Sequence, residues 1–311
     1  MVRHLINKLQ LVYPPISNQE GVWLWEVEAV RESVKASKLY MIGHREELFF
    51  IFDDEEMKKE GFTGILKFKI IMGEIKSPWI YYNIREELNL LEDEEDTIYL
   101  EMGKKLIRFT LNKPENVVKW FTPDIFLFLF WRDQIQVEVE SEFDFRQFTR
   151  FELYYVGISK KGDSFSRLFE QAHHGRLKIL SNAQIKTYGS RLTDELVIFL
   201  FDIDKTNINV ISTENDIEED MYYLSDDLSV IADAEKAFIS LLKTEYNEVA
   251  YKNFPRSTDG LFNDKLTRYA YSIQEDLSFY TTIELKGAYE MLAPCDFILV
   301  EGKKAKVIKV P

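Results

Sequence analysis

Along the first third of the chain, apolar residues recur with the two-residue period of strands rather than the 3.6-residue period of helices. Val22–Val30 (VWLWEVEAV) alternates in places. Lys38–Ile42, Glu47–Phe52 and Ile65–Met72 (ILKFKIIM) are rich in β-branched and aromatic residues, and Thr97–Glu101 and Leu106–Leu111 continue that pattern. The charge runs Asp53–Glu60 and Glu92–Asp96 fall between these segments and read as solvated turns. Asn112-Lys113-Pro114-Glu115 then has the form of a helix start, with Pro in the first turn and an acid behind it. The apolar stretch to Trp131 predicts two helices separated at Pro123.

Val137, Val139 and Phe143 alternate with acids and then yield to Arg146 and Arg150, which places a boundary near 132 to 150. Beyond it the types alternate. A strand over Phe151–Ile158 precedes a helical stretch from Asp163 to about Ser181. Glu195–Ile203 (ELVIFLFDI) is nearly all apolar, as expected of a strand central in its sheet. A helix over Asp227–Lys243 follows, and short strands return around Tyr269, Ile283 and Phe297. The expected class is α+β. A β-rich accessory domain spans 1–140, a mixed domain spans 141–255 with an acidic insertion at 206–227, and a β extension spans 256–311.

Composition narrows the partners. The length of 311 residues favours two domains. No apolar run approaches the 18 or so residues of a membrane span, the richest being Ile125–Trp131 (IFLFLFW). The start MVRHLINKLQ does not read as a signal peptide, and a lone Cys295 fits a reducing compartment. These features predict a soluble cytoplasmic protein with no membrane partner. The net charge of -14 repels nucleic acid as a whole, so any such partner requires a local basic patch.

One constellation carries chemistry. Tyr154-Tyr155-Val156-Gly157-Ile158-Ser159 ends a strand and runs into a Lys160-Lys161-Gly162 turn, followed by Asp163, Arg167, His173 and His174. About sixty residues later come Ala234-Glu235-Lys236-Ala237-Phe238-Ile239 and then Glu245-Tyr246-Asn247. On the 227–243 helix, Ile231, Phe238, Ile239 and Leu242 define an inward face. Glu235 projects from that same face, whereas Asp233 points away, toward expected solvent. A carboxylate so placed is costly unless paired or metal-bound. Two readings of Glu235 stay open: an internal ion pair with Arg167 or Arg191, or a metal ligand. Arg167 lies four residues after Asp163, so it is either half of a helix ion pair or a grip on a phosphate. His173 and His174 are either a surface pair or contain a proton carrier. Tyr155 is either a core aromatic or a hydroxyl aimed at a reaction centre.

The order YVG, Arg, His, Glu on a later helix, then a YN pair, resembles the GIY-YIG nuclease superfamily over about a hundred residues. The resemblance implies a small central sheet flanked by helices. Tyr155 and Gly157 match the second signature, Arg167 the helical arginine, His173 or His174 the histidine, Glu235 the metal ligand and Asn247 the closing asparagine. No GIY tripeptide lies ten or so residues before Tyr155, which leaves Tyr154 to stand in for the first tyrosine.

The implied function is a metal-dependent endonuclease, in a setting of defence or mobile-element conflict. Glu235 would hold one Mg²⁺ or Mn²⁺, Tyr155 or a histidine would take the proton of water, and Arg167 would offset charge at the phosphate. Lys160, Lys161, Arg167, Arg176, Lys178, Lys186 and Arg191 make 160–191 the candidate track for a phosphate backbone. Tyr154, Gly157, Lys160, Lys161, Arg176 and Asn247 are the residues expected beside substrate. Thr206–Glu235 holds no Lys or Arg and reads as a solvated acidic loop or as a cover over the site. The alternatives are a catalytically degenerate GIY-YIG-like interaction module within an acidic oligomeric scaffold, and an unrelated α+β binding protein. In the first, the β-rich N-terminal part docks a protein partner or a second copy. Geometry separates these readings, because a nuclease needs Glu235, Arg167 and Tyr155 to converge on one cleft.

Overall fold

The strand Leu39–His44 is buried at all six positions, the pattern of a strand paired on both edges and covered on both faces. Its partners come from distant parts of the chain. In a computed structural model, residues 2–53, 64–90, 96–170, 173–210 and 225–311 are described. They form a mixed α/β structure rich in sheet, grouped into two compact units. The larger comprises Met1–Arg45, Arg150–Ile185 and Arg191–Pro311, and the smaller comprises Glu46–Thr149 and Lys186–Ser190.

The larger unit contains ten strands, β1 (Val2–Leu11), β2 (Ile16–Ser17), β3 (Leu39–His44), β4 (Arg150–Ile158), β5 (Leu196–Val210), β6 (Arg268–Ile273), β7 (Ser278–Tyr280), β8 (Glu284–Lys286), β9 (Phe297–Glu301) and β10 (Lys304–Ile308). They join in one sheet of order β8-β7-β4-β3-β5-β1-β6-β9-β10, with β2 beside β5. The pairs β1–β6 and β4–β7 are parallel, and the rest are antiparallel. Its helices longer than one turn, among the described residues, are α1 (Asn18–Leu24), α2 (Glu28–Val34), α3 (Ser164–Phe169), α4 (His174–Asn182) and α5 (Asp227–Leu242). Val30, Val34, Phe165, Leu168 and Ile179 from three of these helices join Tyr40, Ile42, Tyr154, Leu196, Ile198 and Leu200 in one buried cluster. Helix α5 packs along β4, and its Phe238 ring reaches Tyr271 of β6.

Several expectations change here. Residues 1–45 do not share a unit with 46–140, because β1 and β3 pair with β4, β5 and β6. The stretch 256–311 is likewise part of the same sheet. Val22–Val30 is not a strand. Ser17 accepts from the Glu20 amide, and the Glu20 carboxylate accepts from the Ser17 amide at 2.6 Å, so a capping box starts α1 and overrides the strand propensity of the Trp and Val residues. The 163–181 stretch forms two helices, capped separately by Asp163 and His173. Of the acidic insertion, Thr206–Val210 continues β5 against β1, and residues 211–224 lie outside the described residues.

In the smaller unit, the strands 48–52, 65–72, 75–76, 80–83 and 138–139 form one sheet and 98–102, 107–111 and 117–121 another. Val117–Phe121 is thus a strand rather than the first of two helices, as its β-branched and aromatic residues favour. Helix formation begins only at Pro123, in the first turn after the Thr122 cap. Phe50, Phe68, Phe109, Phe121 and Phe126 meet edge-on or tilted around Tyr82 to form its core.

Candidate active site

Strand β4 carries a register shift between Leu153 and Tyr155 where it faces β3. Such a bulge lets two consecutive side chains share a face. Tyr154 accordingly enters the buried cluster, and Tyr155 packs partly buried against it. The two hydroxyls then diverge. That of Tyr154 lies 2.7 Å from His44 Nδ1, and His44 Nε2 lies 3.0 Å from Glu195 Oε2. His44 and Glu195 are wholly buried, so this Tyr-His-Glu chain is an internal network rather than a contact for substrate.

Tyr155 instead lines a cleft of about 210 Å³ with Gly175, Lys178, Glu235, Tyr246 and Tyr251. Its ring is held from two sides by glycine. A Cβ on Gly157 would strike the Tyr40 hydroxyl and lie 2.7 Å from the Tyr155 ring, and one on Gly175 would lie 2.5 Å from the opposite ring edge. The Tyr40 ring stacks at 6.1 Å from that of Tyr155, and the His173 ring stands perpendicular to it at 5.3 Å.

Tyr40 was not expected at this site. It reaches Tyr155 because β3 pairs with β4 in the register Tyr40↔Gly157. Its hydroxyl lies 2.6 Å from His173 Nε2. His173 Nδ1 accepts the Arg176 amide at 2.9 Å as the cap of α4. The imidazole pKa falls to about 4, through burial first and then the charges of Arg167 and Arg176. His173 is therefore neutral near pH 7, with its one proton on Nε2 donated to the Tyr40 oxygen. It positions Tyr40 and has no free nitrogen for proton carriage. His174 is exposed, with Nε2 3.4 Å from Glu248 Oε1.

Arg167 projects exposed from α3. The expected pair with Asp163 does not form, because both Asp163 oxygens are engaged by the amide and hydroxyl of Ser166 at 2.8 and 2.6 Å. The Arg167 charge instead acts on Tyr40, Tyr155, His173 and Glu235. Tyr155 has its pKa raised by burial and then by the Glu235 charge, against the opposing effects of a hydrogen bond from Tyr40 and of Arg167.

Glu235 is half-buried on α5. Burial raises its pKa, and the charges of Lys236, Lys160 and Arg167 pull it back without a direct ion pair. Arg191 pairs with Asp194 at 3.0 Å, so neither proposed salt bridge to Glu235 is made. Tyr251 lines the same cleft as Glu235, and its own pKa is pushed up to about 12 by burial and then by that carboxylate. Asp233 does not face solvent. It is fully buried and accepts from the Leu261 amide at 2.9 Å and the Tyr271 and Tyr269 hydroxyls at 2.9 and 3.3 Å. Burial raises it to about 6.

No family model matches the chain, and no curated protein or solved structure does. What the site can do rests on its own groups. Among the described residues no cluster of three or more His, Cys, Asp and Glu side chains forms a metal cage. The donor set is one half-buried carboxylate with no direct cation partner, at the margin of an open cleft. That fits a hydrated oxygen-seeking ion held through a single protein ligand and does not fit a dehydrated one.

The remaining expected substrate residues divide. Lys178 lines the cleft, and Lys161 is exposed in the turn beyond β4. Lys160 is 3.3 Å from Asp259. Arg176 donates to Asn18 Oδ1 at 2.6 Å and to the Leu168 carbonyl at 2.9 Å, and it lies over the Phe169 ring, so it joins α4 to α1 and α3 rather than facing the cleft. Asn247 accepts from the Val156 amide at 3.0 Å and donates to its carbonyl at 2.8 Å, fastening residues 244–247 to β4. It touches the cleft but spends its amide on the backbone. Tyr251 and Lys236 are further site residues that the sequence does not mark.

Proposed function

We propose that the chain hydrolyses phosphodiester bonds in nucleic acid as a divergent GIY-YIG-type nuclease, at the cleft shared by Tyr155 and Glu235. One observation carries this reading. Tyr155 of β4 and Glu235 of α5 line one cleft, Tyr40 of β3 stacks on Tyr155, and Arg167 of α3, outside the cleft lining, acts on all three through its charge. The central strands β4-β3-β5 belong to a ten-stranded sheet, larger than the small sheet the resemblance implies, so the reading is carried by the site and not by the sheet. Tyr40, one strand away from Gly157, supplies the tyrosine that the stretch before Tyr155 lacks.

Glu235 is the residue that would hold Mg²⁺ or Mn²⁺. When bound, such an ion supplies Lewis-acid charge at the phosphate and the leaving oxygen. Exposed Arg167 grips the non-bridging phosphate oxygens and offsets the charge that grows there. Tyr155 orients the attacking water and accepts its proton in the phenolate form, which Arg167 and the Tyr40 hydroxyl favour. Tyr40, held by His173, fixes the Tyr155 ring by stacking on it, and Tyr251 flanks Glu235 in the cleft.

Digestion of plasmid and single-stranded substrates with Mg²⁺ or Mn²⁺ tests the reading. Cutting is expected from the wild type and is expected to fall at least a hundredfold in Glu235→Ala and in Arg167→Ala. Cutting that survives Glu235→Ala at full rate places the chemistry elsewhere.

A further inference from the structure

Helix α5 presents two charged residues side by side, and they serve different clefts. Glu235 lines the cleft that holds Tyr155, and Lys236 lines a second, open one of about 620 Å³ whose other walls come from the segment 248–259. Glu248, Val249 and Tyr251 line both, and Tyr251 is the aromatic ring in the partition between them. Its hydroxyl feels the Glu235 charge, and its ring lies 5.8 Å from the Lys236 ammonium. Its backbone is held at φ 41°, a region bulky residues rarely adopt and one that persists where surroundings impose it.

The second cleft offers what a nucleotide needs. Tyr251 and Phe254 provide ring faces, and exposed Lys252 and Arg256 provide cations. The acids that line it already face cations. Asp259 lies 2.8 Å from Lys236 and 3.3 Å from Lys160, and Glu248 lies 3.4 Å from His174. Lys236 is buried and also donates to the Ala232 carbonyl at 2.9 Å, so the Lys236–Asp259 pair anchors the segment to α5. Lys252 and Arg256 form no ion pair among the described residues, and their charge is available to an anion.

We propose that this second cleft is the subsite for the nucleotide next to the scissile phosphate, its base against Tyr251 and Phe254 and its far phosphate on Lys252 and Arg256. The proposal rests on the phosphodiesterase reading and assigns it a direction. The substrate crosses the Tyr251 partition from the Glu235 cleft toward the 252–256 turn.

The test is fluorescence anisotropy with a short labelled oligonucleotide in Ca²⁺, beside cleavage of the same oligonucleotide in Mg²⁺. Lys252→Ala/Arg256→Ala is compared with Lys303→Ala/Lys306→Ala, which removes equal charge from exposed positions on or beside β10. Wild type is expected to bind and cut. The 252/256 pair is expected to weaken binding about tenfold or more, Tyr251→Leu to do likewise, and the β10 pair to leave it within about twofold. Equal effects from both pairs, or none from either, overturn the subsite while leaving the cleavage reading standing. A wild type that neither binds nor cuts overturns both.

Discussion

The Tyr40 hydroxyl lies 2.6 Å from Nε2 of His173, whose other ring nitrogen caps helix α4 by accepting the Arg176 amide at 2.9 Å. One imidazole thus joins the start of a helix to a phenol on the central strand. The cap requires it neutral, because a protonated Nδ1 cannot accept, whereas the Nε2–H bond to Tyr40 does not.

Stability should follow that proton. The folded-state pKa of His173 is lowered to about 4 from an ordinary 6.5. Below 6.5 the unfolded chain binds the proton first, so stability is fully present above that pH. It is lost progressively as pH falls toward 4, by on the order of 3 kcal/mol. Urea midpoints at pH 7 and pH 5 measure this. His173→Gln is expected to flatten the difference between them, and an unchanged difference would show the acid sensitivity to lie in another group.

The two glycines around Tyr155 give a sharper separation of activity from stability. Gly157→Ala drives a methyl into the Tyr40 hydroxyl and the Tyr155 ring, and Gly175→Ala presses on the other ring edge. Each should cost about 1–3 kcal/mol by overpacking. Because the displaced atoms are the phenols of the site, cleavage should fall by more than the loss of folded protein explains. Thermal unfolding read beside initial rates checks this.

The pH profile of cleavage addresses Tyr155. Burial and Glu235 raise its pKa, so the phenolate is scarce at neutral pH and grows as pH rises. Rates at saturating Mg²⁺ should climb by close to tenfold per unit between about pH 6 and pH 8. Tyr155→Phe should remove both the slope and most of the rate. A profile flat over this range would assign the proton transfer to another acceptor.

The buried chain Tyr154–His44–Glu195 should matter for folding and not directly for chemistry. Glu195→Ala takes a carboxylate from a wholly buried imidazole and should destabilise by about 2–4 kcal/mol. Glu195→Gln keeps a hydrogen-bond acceptor and should cost less. Comparing the two in urea decides whether charge or hydrogen bonding is what His44 requires.

Local periodicity made much of this legible. Ile65–Met72, Arg150–Ile158 and the apolar Leu196–Phe201 are strands because alternation or continuous burial is written into them. Glu235 among Ile231, Phe238 and Ile239 announces a carboxylate turned inward. What could not be read depends on partners far away in sequence. Asp233 is buried because Tyr269 and Tyr271 bring hydroxyls from β6, a strand whose neighbour no local pattern names. Tyr40 lies in a segment recognisable as a strand, but only the β3–β4 register sets it over Gly157. At Ser17 the signal is local, since its spacing to Glu20 is that of a capping box, and it prevails over the strand propensity of the neighbouring Trp and Val residues.

Because residues 46–149 separate β3 from β4, the two phenols that lie ring against ring are made far apart in time during synthesis. Residues 1–45 leave the ribosome before the strands they pair with, and β1 waits longest, for β6 at 268–273. Its exposed edges must stay unpaired in the interval, which marks the early chain as the stage most open to mispairing. The same delay leaves the cleft that Tyr155 shares with Glu235 and Tyr251 unformed until α5 and the segment after it have been made.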